Sequence, residues 1–325
     1  PGRRLLPALA SALLVLGLLS VVQLRVPRPM LLAERFFAGA GWLEALALAA
    51  YAALITHKLL DPAQTARWRR RIWTLFTLVF FAQLALGLLG VEQCWMNPSR
   101  RHFPIPALIA AGPIYRGGGF FMLTLFGVTL LLVGPAWCSH ICYLGAWDQA
   151  AASRRRKPAD LPRWHQKLRG ALLVLVLVAA WGLRAAGAPL ALAGGLALAF
   201  GLLGVALMLL WSRRAGVMAH CVAYCPIGLL AVWLGRVSPF RLRIDSGCDG
   251  CMRCRPACRY AALTRDDIDR RRPGNSCTLC GDCVGTCPHG SLHYRFAGLG
   301  PAAARALFIT LAVALHAATL GLARI

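Results

Sequence analysis

Hydrophobic residues along this chain gather in seven long blocks: Leu5–Leu24, Ala38–Thr56, Ile72–Val91, Gly119–Pro135, Ala171–Ala188, Leu190–Trp211 and Ala302–Leu322. A helix needs about 20 such residues to cross a bilayer, so each block predicts a membrane span. The fifth is the most interrupted, by Arg184 and by Gly187–Pro189. The first is longer than the roughly 7–15-residue core of a secretory signal and lacks a clear small-residue cleavage site, so it reads as an anchor. One long polar segment stands apart, between the sixth and seventh blocks.

Composition agrees with the pattern. Of 325 residues, 58% are apolar and 15% are charged, against about 25% charged in a soluble domain. That excludes an ordinary soluble enzyme and a disordered chain. The 13 cysteines are an odd number in a long chain, which excludes a small disulfide-stapled domain.

The formal charge of +24 suggests nucleic acid until the basic residues are placed. With the N-terminus inside and the spans alternating, 28 of the 36 Lys and Arg fall on the inner side. The outer side receives Arg25, Arg28, Arg35, Arg100, Arg101, Arg116, Arg184 and Arg324. This is the positive-inside bias, so the charge reflects topology and lipid headgroups, with Arg154–Lys157 as an anchor. Nucleic acid is not an expected partner. The same topology puts every cysteine except Cys94 on the cytoplasmic side, where thiols stay reduced and ligation is favoured over disulfides.

The polar segment carries the strongest chemical signal. It contains Cys248-x2-Cys251-x2-Cys254-x3-Cys258 and then Cys277-x2-Cys280-x2-Cys283-x3-Cys287-Pro288. Both match the bacterial ferredoxin spacing, in which the fourth cysteine of each run ligates the other cluster. One [4Fe-4S] cluster would use Cys248, Cys251, Cys254 and Cys287; the other would use Cys277, Cys280, Cys283 and Cys258. Two intervening residues let a loop wrap a cuboidal cluster, and Gly250 and Gly281 let the backbone come close. Zinc prefers two CxxC pairs separated by a longer insert. One departure is Arg259, which follows Cys258 where a proline is expected; it should change local packing and spare the ligands.

A second signal is a repeat. Cys138-Ser-His-Ile-Cys142-Tyr-Leu-Gly follows the fourth block and Cys221-Val-Ala-Tyr-Cys225-Pro-Ile-Gly follows the sixth. On a helix, i,i+4 spacing puts both thiols of a pair on one face. Spans 3–4 and 5–6 then read as two related hairpins whose four thiols face one another, as a third metal centre or a thiol site. The plainer alternative is four cysteines packed as small hydrophobes.

Other groups are weaker candidates. Glu44, Gln83 and His316 are polar residues inside spans, able to bind a quinone or to bond a neighbouring helix. Glu92, Tyr115 and Arg116 form a looser quinol-site alternative. Cys94 and Met96 could ligate a heme or metal, but there is no C-x-x-C-H motif and no second mid-span histidine to join His316, so heme is not expected. His140 and His220, beside the C-x3-C pairs, read as interfacial residues, with hydrogen bonding to the thiolates or ligation as the alternative. Gly117–Gly119 lacks the spacing of a nucleotide loop.

The membrane hairpins, the pairs Cys138/Cys142 and Cys221/Cys225-Pro226, and the eight ferredoxin cysteines together resemble the NapH-type membrane ferredoxins. These are quinol dehydrogenase components of periplasmic nitrate reductase systems. The wider group includes the polyferredoxin half of NosR-type factors and the accessory ferredoxins of methylamine utilization and copper-oxidase assembly. The resemblance covers roughly residues 72–296. It departs where Tyr143 replaces the usual proline and in two extra N-terminal spans and one extra C-terminal span.

The resemblance implies electron transfer between the quinone pool and other redox subunits, such as a further ferredoxin or a cytochrome. The alternatives are an assembly factor that reduces metal or thiols for another metalloenzyme, and a structural anchor for a soluble redox enzyme. The expected architecture is an all-α polytopic membrane bundle of about seven spans with an inserted small α+β dicluster ferredoxin domain. Residues 1–71 form two spans, 72–239 a four-helix core, 240–297 the cytoplasmic ferredoxin and 298–325 the last span. The expected location is the bacterial inner membrane, with the N-terminus cytoplasmic and the C-terminus outside.

Overall fold

The computed structural model describes residues 2–95, 104–162 and 164–322. Met96, Arg100, Arg101 and Arg324, all weighed above, lie outside them. In chain order the elements are α1 (Gly2–Arg25), α2 (Leu32–Phe36), α3 (Ala40–Leu59), α4 (Pro62–Leu88), α5 (Leu108–Arg116), α6 (Phe121–Val133), α7 (Tyr143–Ala152), α8 (His165–Ala185), α9 (Leu190–Leu207), α10 (Arg213–Ala215), α11 (Pro226–Leu234), β1 (Arg241–Ile244), α12 (Arg265–Asp269), β2 (Leu292–Arg295) and α13 (Pro301–Leu322). Short 3-10 and π turns join several of them.

Seven of the helical segments are long and apolar enough to cross a membrane, and they coincide with the seven blocks. The chain is a multi-pass, mostly helical membrane protein. Their ends moved for local reasons. The third begins at Pro62, ahead of the apolar block, because Asp61 Oδ1 accepts from the Ala63 N–H at 3.0 Å and Pro62 occupies the first helical position. The interrupted fifth block is still a regular helix. Arg184 falls in its last turn, where a cation suits the C-terminal dipole, and donates to the Ile114 carbonyl at 3.3 Å.

Contacts gather the chain into two units. The first is Pro1–His102 with Gly298–Ile325 and the second is Phe103–Ala297. The third span therefore lies in the first unit, although the sequence pattern groups it with the hairpins.

In the first unit, α1 buries Ala8, Ser11, Val15 and Leu19, and α3 buries Gly41, Ala45, Ala49, Ala52 and Thr56. Small residues at helical spacing allow close backbone approach. Polar contacts tie the seam: Ser11 Oγ donates to the Ala52 carbonyl at 3.2 Å and receives from Thr56 Oγ1 at 2.8 Å. At the end of α3, Arg305 of α13 donates to the Leu59 and Leu60 carbonyls at 2.7 and 2.6 Å. It thereby satisfies groups that a helix C-terminus leaves open.

In the second unit, α5 is an element that the block pattern did not foresee. It is a nine-residue helix containing Pro113, too short to cross a bilayer, and it packs along α8. The polar segment folds between two antiparallel strands with register Arg241↔Arg295, Leu242↔Tyr294, Arg243↔His293 and Ile244↔Leu292. Leu242, Ile244, Leu292 and Tyr294 are buried on one face and lie against the cysteine runs. Between the runs sits α12, started by a reciprocal cap in which Thr264 Oγ1 accepts from the Asp267 N–H and Asp267 Oδ2 accepts from the Thr264 N–H.

Candidate metal centres

The two cysteine runs adopt one backbone path twice. Gly250 and Leu279 occupy matching places with φ of 74° and 56°. Met252 and Gly281 match at 59° and 79°, and Ala261 and Gly290 at 50° and 64°. The left-handed region costs an L-residue roughly 1–2 kcal/mol, so the repeat of three such positions marks a conformation that the loop requires. Glycine supplies each position in one run and a larger residue in the other. Leu279 holds its strained place because its side chain is buried and packs toward Gly134.

The wrap sorts the eight thiols into two recesses. One is lined by Cys248, Cys251, Cys254 and Cys287, with Ile244, Ile268 and Leu292 behind them. The other is lined by Cys277, Cys280, Cys283 and Cys258, with Leu242, Tyr260 and Leu263. In each recess the fourth cysteine comes from the opposite run. The first recess opens outward, since Cys251, Asp249 and His289 are exposed. These three could hold an ion, but the His289–Asp249 contact of 3.1 Å accounts for their proximity.

A third recess is lined by Cys138, Cys142, Cys221 and Cys225, together with Arg169, His220 and Tyr260. The motifs do not build it as two faces of regular helix. Trp137–Ile141 and His220–Tyr224 are π turns, and the second cysteine of each pair is extended, with φ, ψ of −66°, 115° at Cys142 and −69°, 114° at Cys225. Each such cysteine donates its N–H five residues back, to Trp137 at 2.9 Å and to His220 at 2.8 Å. Each then caps the helix that follows, α7 or α11. The wider π turn and the sharp exit aim both thiols of a pair at one recess. Tyr143, which replaces the usual proline, occupies the first position of α7 as Pro226 does in α11.

Asp148 fixes the second turn from below. It is fully buried, and its Oδ2 accepts from the Cys221 N–H at 2.9 Å. Burial pushes its carboxyl up to about 6. His140 and His220 are buried, which corrects the interfacial reading. His140 Nδ1 lies 3.0 Å from Ser139 Oγ. His220 tilts against Tyr224, and burial lowers it to about 4, so it is a neutral ring.

The recesses share walls. Tyr260 and Thr278 line both the second and the third. Tyr260 donates to the Cys138 carbonyl at 3.2 Å, and Ser139 Oγ to the Thr278 carbonyl at 3.2 Å.

Arg259, the departure from the ferredoxin pattern, joins the cysteine runs to the helical part of this unit. It reaches the Arg155 and Gly216 carbonyls at 2.8 Å and the Arg156 carbonyl at 3.2 Å, while its own carbonyl accepts from the Met218 N–H at 2.8 Å. Replacing Arg259 with Ala should retain iron but destabilise this seam by about 1–3 kcal/mol. The check is thermal unfolding in detergent, where an unchanged midpoint would contradict the clamp.

The recesses fit a multi-iron group. Among the described residues, no three of these twelve thiols lie within 4.8 Å of one another. One tetrahedral ion at about 2.3 Å from each sulfur would bring the sulfurs to about 3.8 Å. The sets are too open for a single ion. Burial also pushes Cys258 and Cys277 up to about 12 and Cys254 to about 11. Without metal these thiols are neutral, and ligation must displace their protons.

The in-span candidates have separate partners. Glu44 Oε2 accepts from the Ala33 N–H at 2.7 Å, a tie to the short helix α2. His316 is fully buried, with Nε2 3.0 Å from the Tyr51 hydroxyl and its ring beside Phe76. Gln83 is buried, and among the described residues its Oε1 has no hydrogen-bond partner. Tyr115 donates to the Ala188 carbonyl at 2.8 Å and anchors that turn. Cys94 is buried in a 3-10 turn next to Arg35. Sequence reasoning did not single out Arg169 or Asp148. Arg169 closes a stretch rich in basic residues that begins at Arg154, while Asp148 lies six residues after Cys142.

Comparison with known proteins agrees with the cysteine chemistry. Residues 117–159, which hold Cys138 and Cys142, match a family model described as a 4Fe-4S binding domain. A ferredoxin-type protein NapH from Haemophilus influenzae is 26% identical over 191 residues. That match covers 51% of this chain and 66% of NapH, just under two thirds. An uncharacterized protein of Methanocaldococcus jannaschii is 27% identical over 232 residues, covering 64% of this chain and 89% of its own length. No solved structure matches. The chain is thus similar to NapH over about half of its length, and it is a multi-pass membrane protein with a segment that matches a 4Fe-4S binding domain.

Proposed function

We propose that this chain is a membrane subunit that exchanges electrons between the quinone pool and a redox partner through cysteine-ligated iron–sulfur centres. The observation that carries the reading is the sorting of eight thiols into two recesses with exchanged fourth cysteines. Cys248, Cys251, Cys254 and Cys287 would hold one [4Fe-4S] cluster, and Cys277, Cys280, Cys283 and Cys258 the other. Cys138, Cys142, Cys221 and Cys225 would hold a third centre, a reading supported by their common recess and by the family match on the first pair. When bound, such clusters supply one-electron chemistry, which suits division of the two electrons of a quinol.

The protein's own contribution is positioning and shielding. The first recess is open and suits exchange with a partner subunit, a further ferredoxin or a cytochrome. The others are lined by Leu242, Leu263, Tyr260 and Trp137, and their thiols are buried or half-buried. For the quinone, Gln83 and His316 are the candidates, because the Gln83 Oε1 has no hydrogen-bond partner among the described residues and His316 has a tyrosine for proton exchange. Glu44 is weaker, since its carboxylate is engaged. The basic bias supports a bacterial inner-membrane protein with its N-terminus and cysteine-rich segment on the cytoplasmic side.

The test is anaerobic. Reduced quinol is added to the purified chain and cluster reduction is followed by low-temperature EPR. Reduction by quinol is the expected result. Full reduction by dithionite with none by quinol would overturn the quinone role and favour an assembly factor or anchor.

A further inference from the structure

The recess of Cys138, Cys142, Cys221 and Cys225 contains a permanent cation. Arg169, in the first half of α8, is 5% exposed, and its guanidinium lines the recess beside the four thiols. Its Nε donates to the Cys225 carbonyl at 3.0 Å. Its Nη2 fills the space that a Cβ on Gly228 would need, so the glycine closing the second C-x3-C motif makes room for the arginine. Among the described residues Arg169 has no carboxylate partner. The titratable groups that line the recess with it are the four thiols, Tyr260 and the neutral ring of His220.

A guanidinium does not shed its proton in a protein. Left unpaired and buried, it carries a heavy desolvation cost that neutral thiols do not offset. Four metal-bound thiolates do. They bring four negative charges, and an oxidised cubane returns two positive ones, so the recess would carry a net negative charge. The other two recesses differ. Neither is lined by Lys or Arg, and the first includes Asp249.

We propose that Arg169 is the built-in countercharge of the thiolate centre held by Cys138, Cys142, Cys221 and Cys225, and that it makes this centre the most readily reduced of the three. The proposal rests on the third-centre reading above. Adding one electron to a group already negative is easier beside a fixed cation, and nearby charge and hydrogen bonding are established levers on cluster potential. Arg169 touches the Cys225 backbone, so it is a positioning residue.

The experiment compares the full chain with R169K and R169Q. Iron per chain is measured anaerobically, and each EPR signal is titrated against potential with dithionite as the electron donor. The wild type should hold about twelve irons, three clusters of four, with one signal reduced at higher potential than the other two. R169Q should either lower the potential of that signal alone or lose about four irons, while R169K keeps the iron and most of the wild-type potential. If R169Q loads fully and its potentials match the wild type, or if R169K fails as R169Q does, the countercharge role is overturned. A wild type with only about eight irons and no other metal removes the third centre itself, and with it the role.

Discussion

Replacing Cys258 with Ala should empty the recess of the other cysteine run. Cys258 is fourth in the first run, but it lies with Cys277, Cys280 and Cys283, while Cys287 lies with Cys248, Cys251 and Cys254. A local reading of the motif would assign each run its own cluster. The crossed lining requires C258A to remove the signal shared with C280A and C287A to remove the signal shared with C251A. Each change should cost about four irons, half of a dicluster module. Because structural metal contributes folding free energy, each should also expose the module to proteolysis. The check is iron content with EPR of the four variants side by side. Pairing of C258A with C251A would refute the crossing.

The second large effect falls on Gly281. Its φ is +79°, and a Cβ there would come 2.5 Å from the Tyr294 hydroxyl. That hydroxyl is buried and donates to the Leu279 carbonyl at 2.7 Å, so it has nowhere to retreat. G281A combines a left-handed alanine, about 1–2 kcal/mol, with overpacking of about 1–3 kcal/mol. The recess of Cys277, Cys280, Cys283 and Cys258 should load poorly, and the other recess should load normally. The equivalent position in the first run holds Met252, half-exposed, at φ 59°. M252G should therefore be neutral or mildly stabilising. Normal iron and an unchanged melting midpoint in G281A would contradict this account of the loop.

The spans were legible because a bilayer demands long apolar blocks and the sequence has seven of them. The sorting of the eight cysteines into two recesses was legible because the ferredoxin pattern fixes cysteine spacing tightly. The C-x3-C pairs were only half legible. An i,i+4 interval fits a regular helix and a π turn with an extended exit equally well, and only backbone hydrogen bonds distinguish them. The helix Leu108–Arg116 was hidden in a stretch too short and too rich in Gly and Pro to register as a block. Arg169 was hidden by its neighbours. Six other basic residues between Arg154 and Lys167 made it look like topology, and burial beside four thiols could not be read from its position. Arg259 stood out as a departure, but its partners lie far away in sequence.

The most direct test of the central claim is metal and sulfide analysis of the anaerobically purified full chain, followed by low-temperature EPR after dithionite reduction. The account expects iron and acid-labile sulfide in equal amounts, at least about eight of each per chain, and signals of reduced [4Fe-4S] clusters that interact magnetically. Stoichiometric zinc, or iron that stays EPR-silent on full reduction, would contradict it.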